Sequence, residues 1–251
     1  MRRLLLGLVV LLGVTFCAAP LFSADDLFER SYRLPSGGTF TLANVNGSVW
    51  VEGWDREEVQ INAVKSTRSN PEDLARVQIE VFTSADAVNV RTIYPKDDGV
   101  EVTVDYRIRV PHHVQLASVQ TVNGNLLVHD VEGSGDVHTV NGDVTLDDAV
   151  GRLNARTTNG TVQMELHSRQ LTQAVDLGVV NGLVLVALPD DFSANLEISS
   201  VNGDFHSTLP VKVQGSMASR EFRATLGRGG SPLRIRTVNG KIRLVQVRPT
   251  V

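Results

Sequence analysis

The sequence predicts an all-β protein, a β-solenoid-like stack of strand pairs with Asn-Gly corners, and three observations carry that reading. The dipeptide recurs at Asn46-Gly47, Asn123-Gly124, Asn141-Gly142, Asn159-Gly160, Asn181-Gly182, Asn202-Gly203 and Asn239-Gly240, with successive spacings of 77, 18, 18, 22, 21 and 37 residues. A fixed spacing in this range is the mark of a repeat protein. The residues four before and three after each Asn are apolar in all seven copies, from Leu42 and Val49 to Ile235 and Ile242. Steps of two on each flank mean β-strands with one buried face. Gly133 and Gly151 each lie nine residues after a motif glycine, giving two strands and two corners per 18-residue unit.

Each element follows from local chemistry. Asn and Gly both tolerate positive φ, so the pair is expected to supply the sharp corner between flanks. Two residues before the Asn stand Thr121, Thr139, Thr157, Ser200 and Thr237, which predict a hydroxyl ladder beside the corners. Two architectures share the parity: a solenoid, in which equivalent residues stack coil on coil, and an antiparallel meander closed into a sandwich. The recurrence of equivalent residues at one period favours the solenoid. The spacing of 37 is expected to hold one degenerate copy.

The first gap, about 54–110, reads as a β-rich insertion with strands over Val59–Val64, Val77–Phe82, Val88–Ile93 and Val100–Val110. Within it Asn70-Pro71-Glu72-Asp73 is a helix start, with Asn as cap, Pro in the first turn and acids next to it. That helix should end by Arg76.

The N-terminus has the layout of a secretory signal peptide over residues 1–24: Arg2 and Arg3, the apolar run Leu4–Val14, then small residues up to Ala24. Retention as an uncleaved anchor and lipidation of Cys17 are the alternatives. Phe16 beside Cys17 stands where lipid attachment needs a small residue. Cys17 is the single cysteine, so residues 25–251, read as one β-repeat domain, must be held by packing rather than by disulfides or thiolate metal sites. Net charge is −4, and −6 once Arg2 and Arg3 leave with the leader. Nucleic acid is thereby excluded as a partner, because its binders cluster positive charge.

The recurring Val-Asn-Gly strands behind a signal peptide resemble the bacterial putative-adhesin family, a domain of unknown function, over roughly Arg33 to Val247. The resemblance implies an exported, β-solenoid-like envelope protein and brings no catalytic residues.

Candidate sites read blandly. His129 and His138 fall on the outward parity among Asp130, Glu132 and Asp136, as expected of solvated side chains, and His112 and His113 follow a proline in a connection. Asp143, Asp147 and Asp148 lack the alternating oxygen spacing of a calcium loop. Asp143 and Glu165 are the nearest approach to a glycosidase carboxylate pair. With 5% aromatic residues the chain is poorly supplied for a sugar cleft. No catalytic, cofactor or metal site is therefore assigned. Leu183 and Leu185, apolar at outward positions, predict a covered strand, either under the insertion or under a partner. The expected function is an exported structural or binding protein in the periplasm, at the cell surface or secreted. Its partner would be an envelope protein, a polymer or another copy of itself. An accessory role in envelope-stress signalling and a polysaccharide-active enzyme are the alternatives.

Overall fold

The computed structural model describes residues 24–96, 99–214 and 220–247. The signal peptide up to residue 23 and Cys17 lie outside the described residues. In chain order, β1 (Ala24–Arg33), β2 (Thr39–Ala43), β3 (Val49–Trp54) and β4 (Glu58–Thr67) precede one helical turn, α1 (Asp73–Arg76). Next come β5 (Gln78–Thr83), β6 (Ala87–Ile93), β7 (Val102–Pro111), β8 (Gln115–Gln120), β9 (Leu126–His129), β10 (Gly135–Asn141) and β11 (Val144–Asp147). The long strands β12 (Leu153–Glu165) and β13 (Val175–Leu188) each run through an Asn-Gly corner. β14 (Ala194–Asn202), β15 (Phe205–Ser207), β16 (Val211–Gln214), β17 (Glu221–Leu226) and β18 (Pro232–Gln246) complete the chain.

These strands build two walls that share one core. The first wall runs β5-β6-β2-β8-β10-β12-β13-β18-β14-β17-β16, and the second runs β1-β4-β7-β3-β9-β11-β12-β13-β18-β15. Pairing through the body is parallel and in motif register: Asn159 aligns with Asn181, and Asn181 with Asn239. That is a solenoid, since a meander would pair its neighbours antiparallel. Antiparallel strands appear only near the ends, where β5 closes on β6, β1 and β4 close on β7, and the β16–β17 pair closes on β14. The interior holds the predicted residues. Six of the seven residues three after the motif Asn are buried, as are all seven four before it; Phe205 is half-buried. In the first gap the strands fall where the sequence marks them, as β4 to β7, and β6 and β7 pair parallel with β2 and β3 as part of the walls. Asn70 is not the cap of α1: Glu72 stands at that position without a side-chain cap, and the Asn70 Oδ1 accepts the Glu72 N–H at 3.1 Å in the turn that leads into the helix.

Three expectations need correction. The spacing of 37 contains no degenerate coil: after β15 the chain forms the β16–β17 cap and returns as β18 between β13 and β14. Coil order in space therefore departs from coil order in sequence. Leu183 and Leu185 are not covered by the insertion, which extends the walls at the opposite end of the stack. They are half-buried on the outer face of the second wall, where Thr161 and Gln163 align on one side and Lys241 and Arg243 on the other.

The corners, too, are more than turns. Gly142 holds a φ of 154°, as a turn reading requires, but Gly124 lies outside the left-handed region. What all seven motif glycines share is close approach: a Cβ on any of them would strike a backbone carbonyl of the neighbouring strand. For Gly124 the obstacle is the Gly47 carbonyl, for Gly142 that of Gly124, and for Gly160 that of Gly142. No motif Asn takes positive φ. Glycine is needed because coils stack backbone against backbone.

Candidate functional site

The motif asparagines are required for their side chains. Each Nδ2–H donates to the Oδ1 of the next coil: Asn123 to Asn46, Asn141 to Asn123, Asn159 to Asn141, Asn181 to Asn159, Asn239 to Asn181 and Asn202 to Asn239, at 2.8–3.1 Å. The result is one ladder of seven amides along the corner, six of them exposed and Asn46 half-buried. Dipoles aligned head to tail polarise one another, so such a chain is stronger than its separate links. Below it the hydroxyls of Thr121, Thr139 and Thr157 donate to the carbonyls of Gly47, Gly124 and Gly142 at 2.8–3.0 Å. The predicted hydroxyl ladder is thus a set of rungs to backbone, and it stops there. Ser200 and Thr237 hydroxyls are enclosed without a partner.

A further column lies two residues after each Asn. Asn125 Oδ1 accepts the Asp143 N–H at 2.9 Å, and Asp143 Oδ1 accepts the Thr161 N–H at 2.7 Å. Asp143 is therefore engaged in joining coils. Glu165 aligns with Asp147 at the far end of β11. The carboxylate pair considered for glycoside hydrolysis is not assembled.

Beside the asparagine ladder runs an exposed valine row that sequence reasoning passed over. In stack order Val45, Val122, Val140, Thr158, Val180, Val238 and Val201 stand one residue before each Asn, and the six valines are 36–46% exposed. Six inter-strand steps make the row about 29 Å long. The signal was present: the position has outward parity and is apolar in six of seven copies. Next to the row, Gly178 aligns with Arg156 of β12 and Arg236 of β18, and the absence of a side chain there makes room for the Arg156 stem. Val140, Val179, Val180, Val201 and Val238 line a groove of about 610 Å³. Arg236 pairs with Asp176 at 3.2 Å, whereas the Arg156 stem leans over Gly178. A strip of exposed apolar groups beside basic side chains is the composition of an interaction surface rather than of a reaction centre.

Histidines gather at the other corner. His112, His113, His129 and His167 each lie within 3.6 Å of a carboxylate, from Asp130, Glu132, Asp147 and Asp148 respectively. His138 stands apart on the first wall, 4.0 Å from Asp136. The hydrogen bond to Asp148 holds the His167 imidazolium above its ordinary range, with the charges of Asp148, Glu165 and Asp147 adding to the effect.

Residues 38–245 match the family described as Toastrack DUF4097, and the chain belongs to it. Among solved structures, a putative cell adhesion protein from Clostridium sporogenes shares 11% identity, covering 88% of this chain and 100% of that one, with a TM-score of 0.48. A putative adhesin from Bacteroides fragilis shares 12% identity over 88% of this chain and 97% of that one, with a TM-score of 0.30. No curated protein matches the sequence. Among the described residues no helix is long and apolar enough to cross a membrane.

Proposed function

We propose that this chain is an exported, non-catalytic binding protein of the bacterial cell envelope, released from a leader of residues 1–24 and acting as one β-repeat domain over residues 25–251. The observation that carries the reading is the valine row beside the asparagine ladder, with Arg156 and Arg236 flanking Gly178 next to it. Six partly exposed valines in register make a continuous apolar strip of the kind that marks an interaction surface. The geometry suits an extended partner that lays apolar groups along the row and an acidic group against Arg156. The rigid ladder pre-organises this surface, so little ordering cost falls on binding. The separation of Asp143 from Glu165 supports a binding role over hydrolysis.

The test compares immobilised mature chain with its Val180→Asp and Gly178→Leu variants in retaining envelope components. Both substitutions lie on the outer face, so both variants should keep the wild-type melting temperature while losing what the wild type retains. Equal retention by all three proteins would overturn the assignment of the surface. Mass spectrometry of the mature N-terminus tests export: cleavage within about residues 19–24 is expected, and an intact cytoplasmic chain would remove the envelope role.

A further inference from the structure

Stacking brings together residues that are distant in sequence at the end of β11. Asp147 and Asp148 close that strand, and His167 follows β12, so the next coil sets an imidazole against two adjacent carboxylates. One donor atom from each of the three lies within 4.8 Å of the others. His167 Nδ1 is 2.9 Å from Asp148 Oδ2. From the preceding coil, His129 Nδ1 is 3.1 Å from Asp147 Oδ2. That nitrogen is shut off from solvent and makes no aligned hydrogen bond. Glu165 Oε1 stands 3.9 Å from His167 Nε2 and adds a third negative charge.

We propose that Asp147, Asp148 and His167, with His129 beside them, form a binding site for one divalent transition ion of the zinc class. Donors around a tetrahedral ion at about 2.0–2.1 Å lie about 3.3–3.4 Å from one another, so the His167–Asp148 and His129–Asp147 pairs already stand near that separation. Small rotations of exposed carboxylates close the rest. Mixed imidazole and carboxylate donors suit zinc, copper or nickel, whereas calcium takes oxygen donors alone. His129 Nδ1, beside Asp147 at 3.1 Å, offers a further imidazole donor from the preceding coil. With three carboxylates to neutralise, the ion would fasten the corners of adjacent coils, those that end β9, β11 and β12, to one another.

The experiment is calorimetric titration of untagged mature protein with zinc chloride, alongside His167→Gln, Asp147→Asn and the control His138→Gln on the first wall. Wild type and His138→Gln should bind one equivalent, and each of the other two should bind at least about tenfold more weakly, while their far-UV spectra stay native. Excess zinc should raise the melting temperature of wild type and of His138→Gln alone. A parallel calcium titration should give no heat that depends on His167. The proposal fails if wild type shows no saturable zinc binding, or if binding is unchanged in both His167→Gln and Asp147→Asn.

Discussion

The sharpest consequence of backbone-to-backbone stacking is that two glycines should respond to alanine in opposite order to their φ angles. Gly99 has a φ of 107°, and a Cβ there would have nothing within 4 Å, so Gly99→Ala isolates backbone strain. Gly124 lies outside the left-handed region, but its Cβ would meet the carbonyl of Gly47, so Gly124→Ala isolates close approach. Relieving that collision separates two coils at their tightest point. Three hydrogen bonds cross there: the Gly47 N–H to the Asn123 carbonyl at 2.8 Å, the Thr121 hydroxyl to the Gly47 carbonyl at 3.0 Å, and the Asn123 amide to Asn46 at 2.8 Å. At about 1 kcal/mol each, losing them costs about 3 kcal/mol. For a chain of this size that is a fall of about 6–12 °C in melting temperature. Gly99→Ala should cost about 1 kcal/mol from strain alone. Thermal unfolding followed by far-UV circular dichroism reads both. A Gly124→Ala protein as stable as wild type, or a larger loss at Gly99, would refute the stacking account.

Further outcomes follow from the same geometry. Asn141→Ala removes two ladder bonds and should lower stability by about 1–2 kcal/mol, whereas Asn46→Ala removes one ladder bond and should cost less; urea titrations compare them. Leu185→Asp, on the outer face beside Arg243, should leave the melting temperature within about 2 °C of wild type, since it places a charge in solvent rather than in the core. An insertion that covered this strand would have made the same change strongly destabilising. Burial raises the Tyr94 hydroxyl to about 12 and moves Tyr106 upward as well, with the hydrogen bonds from both rings only partly offsetting it. Their neutral forms are favoured in the fold, so this contribution is complete below about pH 10 and is lost as pH rises toward 12; a pH series of urea midpoints should fall in that window.

How much of this was legible in the sequence depends on the range of the interaction. The core positions were legible because a coil's buried face repeats within a few residues of each Asn-Gly, so Val137 and Val144 declare themselves without reference to any other coil. The two corners per unit followed for the same reason. Coil order was not legible: nothing in the spacing around Asn202 and Asn239 says that β18 enters between β13 and β14, because parity describes faces and is silent on neighbours. The role of the asparagines was hidden by their tolerance of turns, which offered a sufficient local reason and obscured partners 18 to 77 residues away. Val140 and its equivalents were visible as outward apolar residues, yet they read as part of a motif. Asp147 and Asp148 were weighed only against the spacing of a calcium loop and His167 drew no notice, because the three come together only through the register of β11 on β12.

Whether the valine corner is the face that meets a partner is tested most directly by photocrosslinking in living cells. A photoreactive phenylalanine analogue placed at Val180, in the row, should yield a discrete crosslinked species, and the same analogue at Thr145, on the outer face of the second wall, should yield none. The species formed at position 180 should disappear when Gly178→Leu is added. Crosslinking at position 145 but not at position 180 would contradict the account and move the binding face to the opposite wall.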